Sequence, residues 1–243
     1  NASQIVQAMP GLLGLAAAEQ LSLGSAAGIT TAIMNTFGIS ADQAGTVVDQ
    51  LLSVSSNAAV GVDDIGKSLE YAGPAAAALG MSLPETTAAL GLMANQGIKG
   101  SQAGTALGAV LSALTANVQD GRVDFGAFAV DIYDAQGQMR PFGDILRDIE
   151  AGTNGMGDAQ RKAALSAVVQ RQSLRGVNVL LAEGSGKYDT LNQSILDSNG
   201  LAEKQAGIMR DNLGGAFGQV RAAVEGLLIQ LSDRLKPVII GTI

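Results

Sequence analysis

Residues 97–114 read GIKGSQAGTALGAVLSAL, and the spacing of their glycines poses the fold problem. Gly100, Gly104 and Gly108 recur every four residues, and Ser112 continues the row. A four-residue step stacks positions on one face of an α-helix, so this face is almost bare of side chains. Leu107, Val110, Leu111 and Leu114 run beside it as an apolar stripe. Glycine costs a helix interior about 1 kcal/mol relative to alanine. Three in register therefore predict a compensating contact, a second helix lying close against Gly104 and Gly108. Gly24/Gly28 and Gly214/Gly218 repeat the spacing. Such grooves serve membrane and soluble packing alike; Lys99, Gln102 and the interrupting Thr, Ser and Asn residues favour the soluble form here.

The rest of the composition agrees with thin, closely packed helices. Apolar residues make up 47% of the 243, aromatics 3% and charged residues 15%, with mean hydropathy +0.25 and 32 glycines. The core is therefore expected to consist of Ala, Leu, Val and Ile. The absence of Cys rules out disulfide and thiol chemistry, and the absence of His removes the commonest general base and metal ligand. A net charge of −7 argues against gripping nucleic-acid phosphates, which takes clustered Lys and Arg. No apolar run reaches the roughly 18 residues of a membrane span. The start at Asn1 and the stop after KPVIIGTI read as an excerpt of a much longer polypeptide.

Along the chain, the expected fold is mainly α: an array of short Gly/Ala-rich helices and helical hairpins, one small β-hairpin and a longer final helix. Residues 1–118 read as helices at 11–23, 25–37, 40–56, 62–72, 74–79, 83–96 and 101–118. Ser40-Ala-Asp-Gln43 and Ser82-Leu-Pro-Glu85 match the capping box, with Pro84 in a first turn. FGISADQAGTVVDQLLSVSS and LGMSLPETTAALGLMANQG look like copies of one unit, 42 residues apart. In a second region, 119–151, the run Val130, Ile132, Tyr133, the turn Asp134–Gly137 and a return ending at Pro141 predict a β-hairpin with strands near 129–133 and 138–141. A helix at 142–151 follows. The third region, 152–243, is expected to hold helices at 158–183, 186–198 and 201–236, the last stopped by Pro237.

No constellation for chemistry assembles. Gly184-Ser-Gly-Lys187 resembles the tail of a phosphate-binding loop, but Leu181 and Tyr188 stand where that motif needs Gly and Ser or Thr. A turn between helices is the expected reading. Asp131 and Asp134 flank a turn, where Asp serves the backbone, and Asp144 and Asp148 lie near a helix start. Arg161, Lys162, Arg171 and Arg175 read as a solvated face. No catalytic, cofactor-binding or metal-ligating residue is expected, and the chain is read as not an enzyme.

One resemblance gathers these observations. The stretch LGMSLPETTAALGLMANQGIKGSQAGTALGAVLSAL closely resembles the core region of bacteriophage tail tape measure proteins, with the block Gly97, Gly100, Ala103, Gly104, Thr105, Leu107 and Gly108 as its most specific part. VDIYDAQGQMRPFGDILRDI is similar to a downstream family segment, with Asp134, Gly137 and Pro141 at the turn. VVQRQSLRG departs from the Phe-Gly that many members carry. The resemblance spans about residues 15–238. It implies a structural virion component, with no cofactor, that sits in the tail tube lumen, sets tail length during assembly and leaves ahead of the DNA. The partners it implies are copies of itself (a homo-oligomer, expected as a trimer), tail tube and tail tip proteins and tail assembly chaperones, with genomic DNA passing nearby without specific binding. The implied location is the phage tail lumen or tip, and the host cytoplasm during assembly. A membrane-active, channel-forming module at the host envelope is the alternative.

Overall fold

A computed structural model of the protein describes residues 2–205 together with 207 and 208. The helices are α1 (Ala2–Ala18), α2 (Leu23–Phe37), α3 (Ala44–Asn57), α4 (Val62–Ala78), α5 (Leu83–Asn95), α6 (Gly100–Ala116), α7 (Phe142–Thr153), α8 (Asp158–Val168), α9 (Arg171–Glu183) and α10 (Ser185–Leu196). A three-stranded antiparallel sheet, β1 (Val118–Gln119), β2 (Arg122–Asp124) and β3 (Ala129–Asp131), sits between α6 and α7. The protein is mainly α, as the periodicity requires. Gly214/Gly218, most of the 201–236 helix and Pro237 lie outside the described residues.

The α-helical corners share one piece of backbone chemistry. Gln20, Gly38, Gly80 and Gly97 each adopt positive φ, at 54°, 65°, 81° and 78°. The apolar residue that follows each one returns its N–H to the carbonyl five residues back. These bonds are Leu21 to Ala16 (2.9 Å), Ile39 to Met34 (2.8 Å), Met81 to Ala76 (3.0 Å) and Ile98 to Met93 (2.9 Å). This is the six-to-one bond of a Schellman cap, and it satisfies carbonyls that the helix end leaves open. The next residue, Ser22, Ser40, Ser82 or Lys99, is the N-cap of the following element.

These corners reveal an internal duplication. Gln20 to Gly80 and Gly38 to Gly97 are steps of 60 and 59 residues. In this register α1–α2–α3 repeats as α4–α5–α6, and Gln43-Ala44-Gly45-Thr46 falls on Gln102-Ala103-Gly104-Thr105, identical at all four positions. The 42-residue comparison paired the second corner of one unit with the first corner of the next. The two units pack side by side, α2 beside α4 and α3 beside α5. Their apolar faces join one core, from Leu15 to Ala202, which continues under the sheet and α7–α10.

Several expected boundaries move for identifiable reasons. The segments 62–72 and 74–79 form the single helix α4, through Pro74. Proline deprives the Glu70 carbonyl of its donor, but Glu70 and Pro74 are both exposed, where water can replace it. The expected 11–23 helix starts at Ala2, includes Pro10 and ends at Ala18. Ser40 makes no side-chain cap; a 3-10 turn, Ala41–Gln43, precedes α3. The expected 158–183 helix breaks into α8 and α9 at Val169, whose φ −101° and ψ 133° are extended. Asn117 Nδ2 donates to the freed Val168 carbonyl at 3.2 Å.

The β region also differs from its expected form. The partner of β3 is β2, not residues 138–141. Asp120 and Gly121, both at positive φ, make a two-residue turn joining β1 to β2, the geometry that Asp-Gly favours. The 138–141 return adds a single bridge, Tyr133 to Met139, and Arg140 N–H donates to the Ile132 carbonyl at 2.8 Å. Val123 and Val130 pair across the sheet and face the core.

Carboxylates from distant parts of the chain fasten helix starts and loop backbone. Glu19 Oε2 accepts from Val62 N–H (3.1 Å) at the start of α4, and Glu85 Oε1 from Phe142 N–H (3.3 Å) at the start of α7. The buried Asp49 in α3 accepts from Gly200 and Ala202 N–H, both at 2.7 Å. Glu85 also completes the capping box with Ser82, accepting from its N–H at 3.0 Å and its hydroxyl at 2.9 Å. A lost cap costs about 1 kcal/mol. Glu85→Ala should therefore lower stability by about 2 kcal/mol, more than Ser82→Ala, since it removes two caps; urea unfolding of the two variants checks the order.

Candidate functional site

The glycine row of α6 lies against α4. A Cβ at position 104 would stand 2.1 Å from the Ser68 carbonyl oxygen and 2.9 Å from Tyr71 Cβ. No side chain fits there, and the backbones of the two helices approach directly. Ser68 Oγ donates across the pair to the Gly100 carbonyl at 2.8 Å, in a buried position. Gly108, one turn on, has ordinary room: its nearest neighbour is the Tyr71 carbonyl oxygen at 3.6 Å. Ala103 and Leu107 are buried in the core, Thr105 is exposed, and Gly97 forms the corner before the row.

The opposite side of α6 is gripped as well. A Cβ at Gly176 of α9 would meet Val110 Cγ2 at 3.2 Å and Ala106 at 3.4 Å. The sequence pointed to the α6 row but not to its partners, Ser68 and Gly176. The small residues Gly66, Ser68 and Gly73 in α4 were the available signal. Gly66 and Gly73 would meet Ile29 at 3.1 Å and Thr36 at 3.0 Å on α2, so α4 is narrow on that side also.

Several of the remaining candidates make local hydrogen bonds and ion pairs. Asp134 Oδ1 accepts from Gln136 and Gln138 N–H at 2.9 and 2.8 Å, closing the turn that Gly137 completes at φ 76° and Pro141 follows. Asp144 and Asp189 both bind Arg147, and Asp148 pairs with Arg140 at 2.8 Å. Arg161, Lys162 and Arg175 are exposed. Among the described residues, no group of three or more acidic side chains could hold a metal ion.

Gly184-Ser-Gly-Lys187 is the corner between α9 and α10, with Gly184 at φ 84°. Where a phosphate would sit on the start of α10, the Glu150 carboxylate accepts from Ser185 N–H (2.9 Å) and Oγ–H (2.7 Å). These bonds hold Glu150 below the ordinary carboxylate value. Glu183, held by the Gln96 amide and then by Lys187, is shifted down as well. The Tyr188 phenol, buried and donating to the Glu85 carbonyl at 3.2 Å, is pushed up.

With this geometry in place, comparison with known proteins is decisive. Residues 1–169 match the family described as phage-related minor tail protein. The chain belongs to that family. It is 32% identical over 235 residues to the tape measure protein of Pneumococcus phage Dp-1, covering 97% of this chain and 20% of that protein. It is 30% identical over 233 residues to the probable tape measure protein of Escherichia phage P2, covering 95% of this chain and 29% of that one. The chain thus spans less than a third of either relative. No solved structure matches. The protein is a phage tail protein, and the two relatives with which it shares nearly all of its length are named for the tape measure role.

Two measurements test the site. Gly104→Ala must push α4 and α6 apart and should cost about 1–3 kcal/mol, as overpacking does. Gly45→Ala, at the duplicated position where a Cβ meets nothing within 4 Å, should instead stabilise by about 0.4–1 kcal/mol. Denaturant unfolding of both variants separates the close contact from the motif. The second test is pH. The Glu150 and Glu183 carboxylates are lowered on folding, so their contribution is complete well above the ordinary 4.5 and is lost as pH falls below it. Thermal midpoints should fall on acidification through that range, and Glu150→Gln should flatten the fall.

Proposed function

We propose that this chain is a non-measuring part of a tape measure protein. The parent would be a structural phage tail component that sits in the tail tube lumen, acts with copies of itself, sets tail length during assembly and leaves ahead of the DNA. Its partners would be tail tube and tail tip proteins and assembly chaperones, with DNA passing by unbound. Family membership supports the tail role. The feature that carries the narrower reading is the folding back of the described helices around one core, none of them longer than 17 residues. A ruler gains about 1.5 Å per residue only where a helix runs extended along the tail axis. A folded-back region adds far less, which fits a role in initiation, oligomerisation or ejection.

The channel-forming alternative finds less support. Among the described residues no single helix is long and apolar enough to cross a membrane; one pair, Met9–Ala18 with Leu23–Phe37, passes by length and composition but is bent by 114°. Leu15, Ala26 and Ile33 of that pair are already buried in the core.

Deletion of about 40 residues from 11–118 in the phage gene tests the reading. Impaired assembly or infectivity is expected, without the tail shortening of roughly 60 Å that a rigid helical ruler would give. Viable phage with tails shortened by that amount would make the segment part of the ruler.

A further inference from the structure

The chain holds two Asn-Gly pairs, Asn154-Gly155 and Asn199-Gly200, and all four residues are exposed. Such a pair is chemically labile, because glycine has no side chain to keep its backbone nitrogen away from the preceding side-chain amide. The fold treats the two pairs differently. Asn154 and Gly155 lie in the turn between α7 and α8. Among the described residues no hydrogen bond holds the Asn154 side-chain amide or the Gly155 N–H. A Cβ on Gly155 would meet nothing within 4 Å, so the link has room to rotate. Gly200 N–H instead donates to the buried Asp49 carboxylate at 2.7 Å. The next two N–H groups are also held, Leu201 by the Ser198 carbonyl at 3.0 Å and Ala202 by Asp49 at 2.7 Å.

We propose that Asn154 is a self-modification site, converted to aspartyl and isoaspartyl forms in the folded protein, and that Asp49 shields Asn199 from the same reaction. The Gly155 nitrogen bonds to Asn154 Cγ and the Cγ–Nδ2 bond breaks. Nδ2 leaves as ammonia, carrying the proton that the backbone nitrogen gives up. Water then opens the five-membered imide. Opening at Cγ leaves aspartate; opening at the backbone carbonyl routes the chain through Cβ and leaves isoaspartate. One water is consumed and one ammonia released, with no change of oxidation state. At Gly200 the nitrogen would have to lose its proton 2.7 Å from a buried carboxylate, where the anion formed faces a like charge. Either product at 154 places a carboxylate in a hollow of about 510 Å³ that Arg147, Glu150, Arg161 and Ser185 also line. Arg161 is exposed and makes no ion pair among the described residues, so it is the cation open to the new charge. That attraction opposes the dipole at the end of α7, which disfavours an anion.

The test incubates the 243-residue chain at mildly alkaline pH, folded and in urea, and digests it with trypsin. In the folded chain, peptide 148–161 should gain the mass of an Asn-to-Asp change and accept methyl groups from an isoaspartyl methyltransferase, while peptide 188–204 stays unchanged. Asn199 should react roughly tenfold or more slowly than Asn154, the scale set by one hydrogen bond to a charged group. In urea the two rates should converge. Asn154→Asp, which makes one product directly, should keep wild-type helicity. An unreactive Asn154 in the folded chain, or an Asn199 that keeps pace with it, would overturn the proposal. So would a rate ratio that persists in urea, which assigns the difference to neighbouring sequence, or an Asn154→Asp variant that does not fold.

Discussion

The direct approach of two backbones at Gly104 and Ser68 is the constraint around which the other helices are placed. It makes α4 and α6 a single thick element, and α2 and α9 then close on its two sides through Gly66, Gly73 and Gly176. A chain with so few aromatic residues cannot fill wide gaps between helices, because Ala, Val and Leu span short distances. Close spacing substitutes for large side chains. The two ring pairs lie outside the duplicated units: Phe142 meets Tyr188 edge to face at 5.7 Å, and Phe125 stacks on Phe128 at 4.8 Å.

Small-residue packing is weakly directional, and the acidic side chains supply the missing specificity. Asp49 of α3 holds Gly200 and Ala202, and Glu19 just past α1, Glu85 of α5 and Glu150 of α7 reach the N–H groups opening α4, α7 and α10. Those groups are the four donors that any helix start leaves unpaired, and the helix dipole favours a carboxylate there. The acidic balance of the chain, which suggested only what it does not bind, is partly spent on holding helices in register.

The sequence showed the glycine row, the Ser82–Glu85 cap and the Asp134 turn because each is a local pattern with a local cause. It did not show that Asp120-Gly121 forms a turn between strands, since the short runs beside it, Val118–Gln119 and Arg122–Asp124, carry little strand signal of their own. Pro74 read as a break because its cost depends on whether one carbonyl is exposed, a tertiary fact. The family resemblance was legible from Gly97–Gly108, whereas the partner residue Ser68 was not, since only packing distinguishes it from other serines. The 59–60-residue duplication was present in the repeated Gln-Ala-Gly-Thr, but a comparison anchored on capping serines pairs the wrong corners.

Asp49 gives the fold a mechanical polarity. Its carboxylate joins residues separated by 151 positions in the chain, whereas the corner bonds of the duplicated units span five. Closing so long a loop carries a larger entropy cost than closing a corner, so this contact is expected to form late when the protein folds. Tension applied to the chain past Ala202 bears first on the two bonds that hold this end to Asp49 of α3. A pull from that end therefore peels the structure one element at a time, while a pull across the α4–α6 pair must shear packed backbones all at once. The same protein would be weak in one direction of load and strong in another.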